Sequence, residues 1–160
     1  YDRTGRYLSS IDGTAGAGRF RHPHGIFVDT RKPEPELYVA DRMNRRVQVF
    51  DLDGAFKRVL ADFPDASPCA FIPDGDYTLV PEAPYRSRIT VLDPDDRVAC
   101  ILGENDAVCA RDGFPNDRAL MEAGRFVAPH SVAATPVGDL YVVEWVAGGR
   151  ITKLERSTTA

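Results

Sequence analysis

His22-Pro23-His24-Gly25-Ile26-Phe27-Val28-Asp29 and, after a polar gap, Leu37-Tyr38-Val39-Ala40-Asp41-Arg42-Met43-Asn44-Arg45-Arg46-Val47-Gln48-Val49-Phe50-Asp51 hold three short runs rich in β-branched and aromatic residues. Pro, Asn, Asp and charged residues separate them. Such side chains fit the half-buried face of a pleated strand, and the separators favour turns, so the stretch predicts strand, turn, strand, turn, strand. Asp53-Gly54 ends the third run and residues 55–60 supply a fourth. Residues 20–60 thus form one four-stranded antiparallel meander.

The unit recurs. Ser67-Pro68-Cys69-Ala70-Phe71-Ile72, Tyr77-Thr78-Leu79-Val80, Arg88-Ile89-Thr90-Val91-Leu92 and Arg97-Val98-Ala99-Cys100-Ile101-Leu102 repeat the pattern over residues 65–103, with Pro68 45 positions after Pro23. A third copy over 124–156 runs through Val127-Ala128-Pro129-His130-Ser131-Val132, Leu140-Tyr141-Val142-Val143-Glu144 and Arg150-Ile151-Thr152-Lys153-Leu154, and has only three strands. Between the second and third copies, residues 104–123 read as an insertion, with a capped helical turn or two over residues 116–122. At the start, Tyr1-Asp2-Arg3-Thr4-Gly5-Arg6-Tyr7-Leu8 aligns with Phe50-Asp51-Leu52-Asp53-Gly54-Ala55-Phe56-Lys57 at an offset of 49, so residues 1–11 read as an orphan outer strand. A glycine-rich connector over 12–19 follows. Four-stranded meanders recurring at this period cannot bury both faces alone and stack radially to do so. The fold class is therefore all-β: about three blades of a β-propeller.

Composition limits the partners. With 160 residues, 43% of them hydrophobic and 28% charged, the chain can bury a sizeable core. A net charge of −4 without a basic run gives no footprint for nucleic acid or an anionic membrane. No apolar stretch approaches the roughly 20 residues of a spanning helix, and no signal peptide is expected at the start. The compartment stays open. Cys69, Cys100 and Cys109 have no zinc-finger spacing; one Cys100–Cys109 bridge is the pairing to consider.

The chemistry sits where each blade begins and where its second strand ends, since both positions fall on one side of a meander and so at one mouth of the channel. The first position carries His24, Cys69 and His130, each directly after a proline. The second carries Asp41-Arg42, Glu82 and Glu144-Trp145. Imidazole, thiol, carboxylate and guanidinium on one rim suit a metal and an anionic ligand. The plainer reading has the histidines bonding a neighbouring blade, Asp41 and Asn44 capping a turn, Cys69 filling space, Arg45 and Arg46 as solvated turn charges, and Trp145 shielding the mouth.

Phe20-Arg21-His22-Pro23-His24-Gly25, Val39-Ala40-Asp41-Arg42-Met43-Asn44-Arg45-Arg46-Val47-Gln48-Val49-Phe50 and Val127-Ala128-Pro129-His130-Ser131-Val132 resemble the later half of the peptidyl-α-hydroxyglycine α-amidating lyase family, a branch of the NHL-repeat six-bladed propellers. The resemblance implies an axial zinc held by three histidines, of which His24 and His130 match two, and a substrate-engaging arginine matched by Arg42. The implied reaction splits a carbinolamide into an amide and glyoxylate. The family's third histidine and catalytic tyrosine fall in a half with no counterpart here. Ala128 and Ser131 replace a methionine and an aspartate that flank the last histidine; that aspartate helps bind a structural calcium, so the replacement argues against calcium.

The expected site is therefore Arg42 as catalytic and substrate-binding residue, His24 and His130 as zinc ligands with Cys69 as a further candidate, and Glu82, Glu144 and Trp145 against the ligand. A non-catalytic NHL-type module binding a peptide or protein, its histidines structural, is the alternative. Three blades cannot close a ring, so the chain is expected either to pair with a second copy or to be part of a longer one.

Overall fold

The computed structural model describes residues 1–60, 67–109 and 118–157. Three antiparallel sheets carry the chain. The first is β1 (Pro23–Asp29), β2 (Glu36–Asp41), β3 (Arg46–Phe50) and β4 (Phe56–Val59), hydrogen-bonded in that order. The second repeats the order with β5 (Ile72–Asp74), β6 (Tyr77–Glu82), β7 (Arg88–Leu92) and β8 (Val98–Leu102), and the third is β9 (Pro129–Ala134), β10 (Leu140–Glu144) and β11 (Arg150–Leu154). Each is a propeller blade. Among the described residues no helix is long and apolar enough to cross a membrane.

Alternation along each strand decides which way a blade looks. Tyr38, Ala40, Val47 and Val49 of blade 1 pack on Phe71, Val80 and Leu92 of blade 2. Leu79, Ile89 and Val91, on the other face of blade 2, pack on Val132, Leu140 and Val142 of blade 3. The same rows continue outward at both ends. Tyr141, Val143 and Ile151 stand in blade 3 where Tyr38, Ala40 and Val47 stand in blade 1, and all three are exposed. On blade 1, Leu37, Val39 and Ile26 line the opposite open face.

A buried carboxylate closes each blade at the end of its second strand. Asp41 accepts from the Arg21 backbone N–H at 2.7 Å, from Arg46 Nε at 2.7 Å and from Gln48 Nε2 at 3.1 Å. Glu82 accepts from the Ser67 backbone N–H at 3.2 Å, from Arg88 Nε at 2.9 Å and from the Thr90 hydroxyl. Glu144 accepts from the Val127 backbone N–H, from Arg150 and from the Thr152 hydroxyl. Each acid thus ties the approach to its own first strand onto the hairpin of strands two and three. Arg46 is not the solvated turn charge expected of it: it belongs to the first of these clips and is shielded there. Arg45 is an exposed turn charge, as expected, and also lies 4.1 Å over the ring of Tyr85 in blade 2.

Three local expectations change. Residues 1–11 form no strand; Ile11 instead packs at Gly54, where an added Cβ would meet its side chain at 2.9 Å. The repeat survives there only as a turn: Asp2, Asp51 and Asp93 each accept two backbone N–H bonds through Oδ1, from residues two and four positions on. The blade 2 approach is not yet strand at Cys69, and β5 starts only at Ile72; Pro68 bridges Glu82 instead. The expected helix over 116–122 is reduced to a 3-10 turn at Arg118–Leu120, preceded by an unforeseen short α1 (Asp106–Cys109), while Asn116 and Asp117 lie outside the described residues. Cys100 is an exposed free thiol; the Cys109 side chain lies outside the described residues.

Removing one partner of such a clip strands the other charge in a dry site, which costs about 3–5 kcal/mol. Glu82→Ala should lower the free energy of urea unfolding by that amount, and an unchanged midpoint would show that the clip contributes nothing.

Candidate functional site

Each Pro-His start is aimed by a backbone kink. His22 (φ 52°) and Ala128 (φ 63°), the residues before Pro23 and Pro129, both adopt the left-handed conformation that non-glycine residues seldom take. Local strain of this kind persists only where surrounding contacts hold it. Here the clips do so through Arg21 and Val127, and the Trp145 N–H donates to the Ala128 carbonyl at 2.9 Å.

His24 and His130 converge, their rings 4.9 Å apart and inclined at 81°. Cys69 comes between the same strands, and one ligand atom from each of the three residues lies within 4.8 Å of the others. The His24 Nδ1 is 2.6 Å from the Cys69 carbonyl oxygen. A carbonyl can only accept, so Nδ1 carries a proton and Nε2 is the nitrogen that faces a ligand in the neutral tautomer. Glycine makes this approach feasible: a Cβ on Gly25 would lie 2.7 Å from that carbonyl oxygen and 2.9 Å from Ala70 Cα. Burial, then the charges of His24 and Arg42, hold His130 below the ordinary histidine range, in the neutral form a metal needs. Burial pushes the Cys69 thiol up to about 11, with Arg42 pulling the other way.

Arg42 opens a 3-10 turn, Arg42–Asn44, directly after β2. It is only 8% exposed, its Nη1 is 4.0 Å from Cys69 Sγ, and its Nε has no hydrogen-bond partner among the described residues. With His22, His24, His130, Val143 and Trp145 it lines a cavity of about 620 Å³. Trp145 is half exposed there and meets His130 edge to face at 5.4 Å. A buried guanidinium with an unused donor, beside two imidazoles and an apolar wall, suits an anion carrying an apolar group.

The two glutamates expected against a ligand differ in placement, and both are engaged by the framework. Glu82 is fully buried within its clip, and Glu144 borders the cavity with both oxygens engaged by Val127, Arg150 and Thr152. Their partners explain it, and the recurrence of an acid followed five or six residues later by Arg, then two later by Gln or Thr, is the signal that could have told a structural acid from a functional one. His22 was missed as a lining residue because it precedes β1, where strand alternation does not apply; it reaches the cavity from a left-handed backbone conformation. The histidine and cysteine set has the donors zinc takes, imidazole and thiolate, at one mouth; the donors fit such an ion.

No family model matches the chain. NHL repeat-containing protein 3 of Homo sapiens is 34% identical over 91 residues, 54% of this chain and 24% of that protein. Its Mus musculus counterpart is 37% identical over 93 residues, with the same shares covered. The chain therefore spans about a quarter of the length of these relatives. Among solved structures, selenomethionine-substituted virginiamycin B lyase from Staphylococcus aureus aligns with a TM-score of 0.46 at 16% identity, over 84% of this chain and 41% of that one.

Proposed function

We propose that this NHL-type β-propeller segment holds a zinc ion through His24 and His130 at its channel mouth and seats there the carboxylate of a peptidyl-α-hydroxyglycine, which is cleaved to a peptide amide and glyoxylate. What supports the reading is one observation: the His24 and His130 rings, 4.9 Å apart, and a buried arginine whose Nε has no partner among the described residues line the same cavity. The bound metal would supply Lewis-acid polarisation.

The chain's own residues do the rest. Arg42 would take the substrate carboxylate in its planar fork, fixing the carbinol carbon near the histidines. The bond from His24 Nδ1 to the Cys69 carbonyl holds one tautomer throughout. Val143 and Trp145 would cover the apolar part of the substrate and thin the water around it. In the reaction the hydroxyl proton leaves, its oxygen forms the carbonyl of glyoxylate, the C–N bond breaks, and the departing nitrogen gains a proton to become the amide. Glu82 and Glu144 are not the bases for this, because their oxygens are filled.

That same fact favours a second reading. A mouth whose acids are all spent on structure can bind without turning over, as a peptide- or protein-binding propeller module would.

Elemental analysis of protein purified without chelator separates the metal reading from a purely structural pair of histidines. Zinc is expected in the wild type and lost in His24→Ala and His130→Ala, whereas metal-free wild type would end the proposal. Arg42→Lys should raise KM for an α-hydroxyglycine peptide by about tenfold, the equivalent of one charge-assisted hydrogen bond. Wild type that holds zinc and releases no glyoxylate would leave the binding module standing.

Pairing with a second copy goes with this reading. The exposed row Tyr141, Val143 and Ile151 repeats a row that is buried between blades elsewhere, and β11 has one strand neighbour among the described residues, so a second copy would cover that row and offer residues 1–11 an edge to pair with. Light scattering should give twice 17.6 kDa, weakened by deletion of residues 1–11. A folded monomer indifferent to that deletion would refute pairing.

A further inference from the structure

A zinc ion takes four ligands, at least three of them usually from protein, and two histidines leave it short. The fold sets one more donor between them. Blade 2 is packed between blades 1 and 3, so the residue that leads into its first strand lies between the residues that begin β1 and β9. We infer that Cys69, as a thiolate, is the third metal ligand, making a His2Cys centre from three consecutive blades and not a site of histidines alone. This rests on the metal reading above.

Three observations carry it. The ligand atoms of His24, Cys69 and His130 lie within 4.8 Å of one another, whereas bonds of about 2.0–2.3 Å in a tetrahedron put ligand atoms about 3.3–3.8 Å apart. Closing that difference requires side-chain movements of about 1 Å. Next, Cys69 and His24 already act as one unit, because the Cys69 carbonyl holds the His24 ring at 2.6 Å and Gly25 lets the two backbones touch. One residue would then serve twice, as a ligand through sulfur and as the orienting acceptor of another ligand through oxygen. Finally, Arg42 Nη1 stands 4.0 Å from Sγ, a fixed positive charge where a thiolate would form.

The contacts the thiol gives up on binding are weak. Its contacts are 3.7 Å to the Ser67 carbonyl and 3.6 Å to the Ala83 carbonyl, both long for a weak S–H donor, and its packing partners are the small side chains of Ala83 and Ala128. On metal binding the Sγ–H proton is released to solvent and the Sγ–metal bond takes its place. Imidazole with thiolate selects zinc or cobalt over magnesium or calcium, whose preferred donors are oxygens.

Cobalt(II) added to chelator-treated protein reads the ligand directly, because thiolate-to-cobalt charge transfer absorbs in the near ultraviolet and imidazole ligation does not. Wild type should bind one cobalt per chain and show that band. Cys69→Ser should lose the band and bind cobalt at least about tenfold more weakly, since even an outer-shell partner is worth that much. A Cys100→Ser variant should match the wild type, excluding the exposed thiol as the source. The cadmium-113 shift of the wild type tests the same ligand with no substitution in the buried position. Cobalt bound without the band, with Cys69→Ser titrating as wild type, would overturn the thiolate while leaving His24 and His130 as ligands. No cobalt uptake by the wild type would remove both readings together.

Discussion

Three buried carboxylates decide how this chain holds together. Asp41, Glu82 and Glu144 are almost wholly removed from water, and a carboxylate there is tolerable only if its oxygens are filled by charged and backbone donors. Each finds an arginine across its hairpin and a backbone N–H just ahead of its own blade. The second of these bonds matters most for function. By pinning residues 21, 67 and 127, it sets where the chain turns into each blade and so where His24, Cys69 and His130 point. Apolar packing between blades supplies the bulk of the cohesion; the carboxylates supply the aim.

How much of this could be read in advance differs by level. The strands were legible because alternation and β-branched enrichment are local properties, and the recurrence of Pro23, Pro68 and Pro129 at matching places showed that the runs were blades. The convergence of His24, Cys69 and His130 followed from the geometry of a meander. What was not legible depends on contacts made across the fold. Arg46 looks like any turn arginine until Asp41 is seen beside it, and Arg45 until Tyr85 of the next blade arrives underneath. Residues 1–11 have the composition of a strand, but a strand exists only where another offers its edge, and Ile11 found Gly54 instead.

The mouth follows from the same division of labour. Acids that a composition-based reading assigns to a ligand are consumed by the framework, so the cavity is left with imidazoles, one buried guanidinium and an apolar wall. Its polarity is therefore positive and sparse. Under the proposed reading a carboxylate-bearing ligand would gain from Arg42 there, and the carboxylate that borders the cavity, on Glu144, is already matched by Arg150.

The clips also bear on how such an array can change over generations. In blade 1 the acid is aspartate and its arginine follows five positions later; in blades 2 and 3 the acid is glutamate and the interval is six. The longer side chain goes with the longer connection. Blades copied from a common ancestor would remain exchangeable only while both halves of that match travel together, and a crossover inside the hairpin would join an acid of one reach to a loop of the other. Recombination between repeats is thus channelled to the connections outside the second and third strands, and each blade is inherited as a matched length of chain.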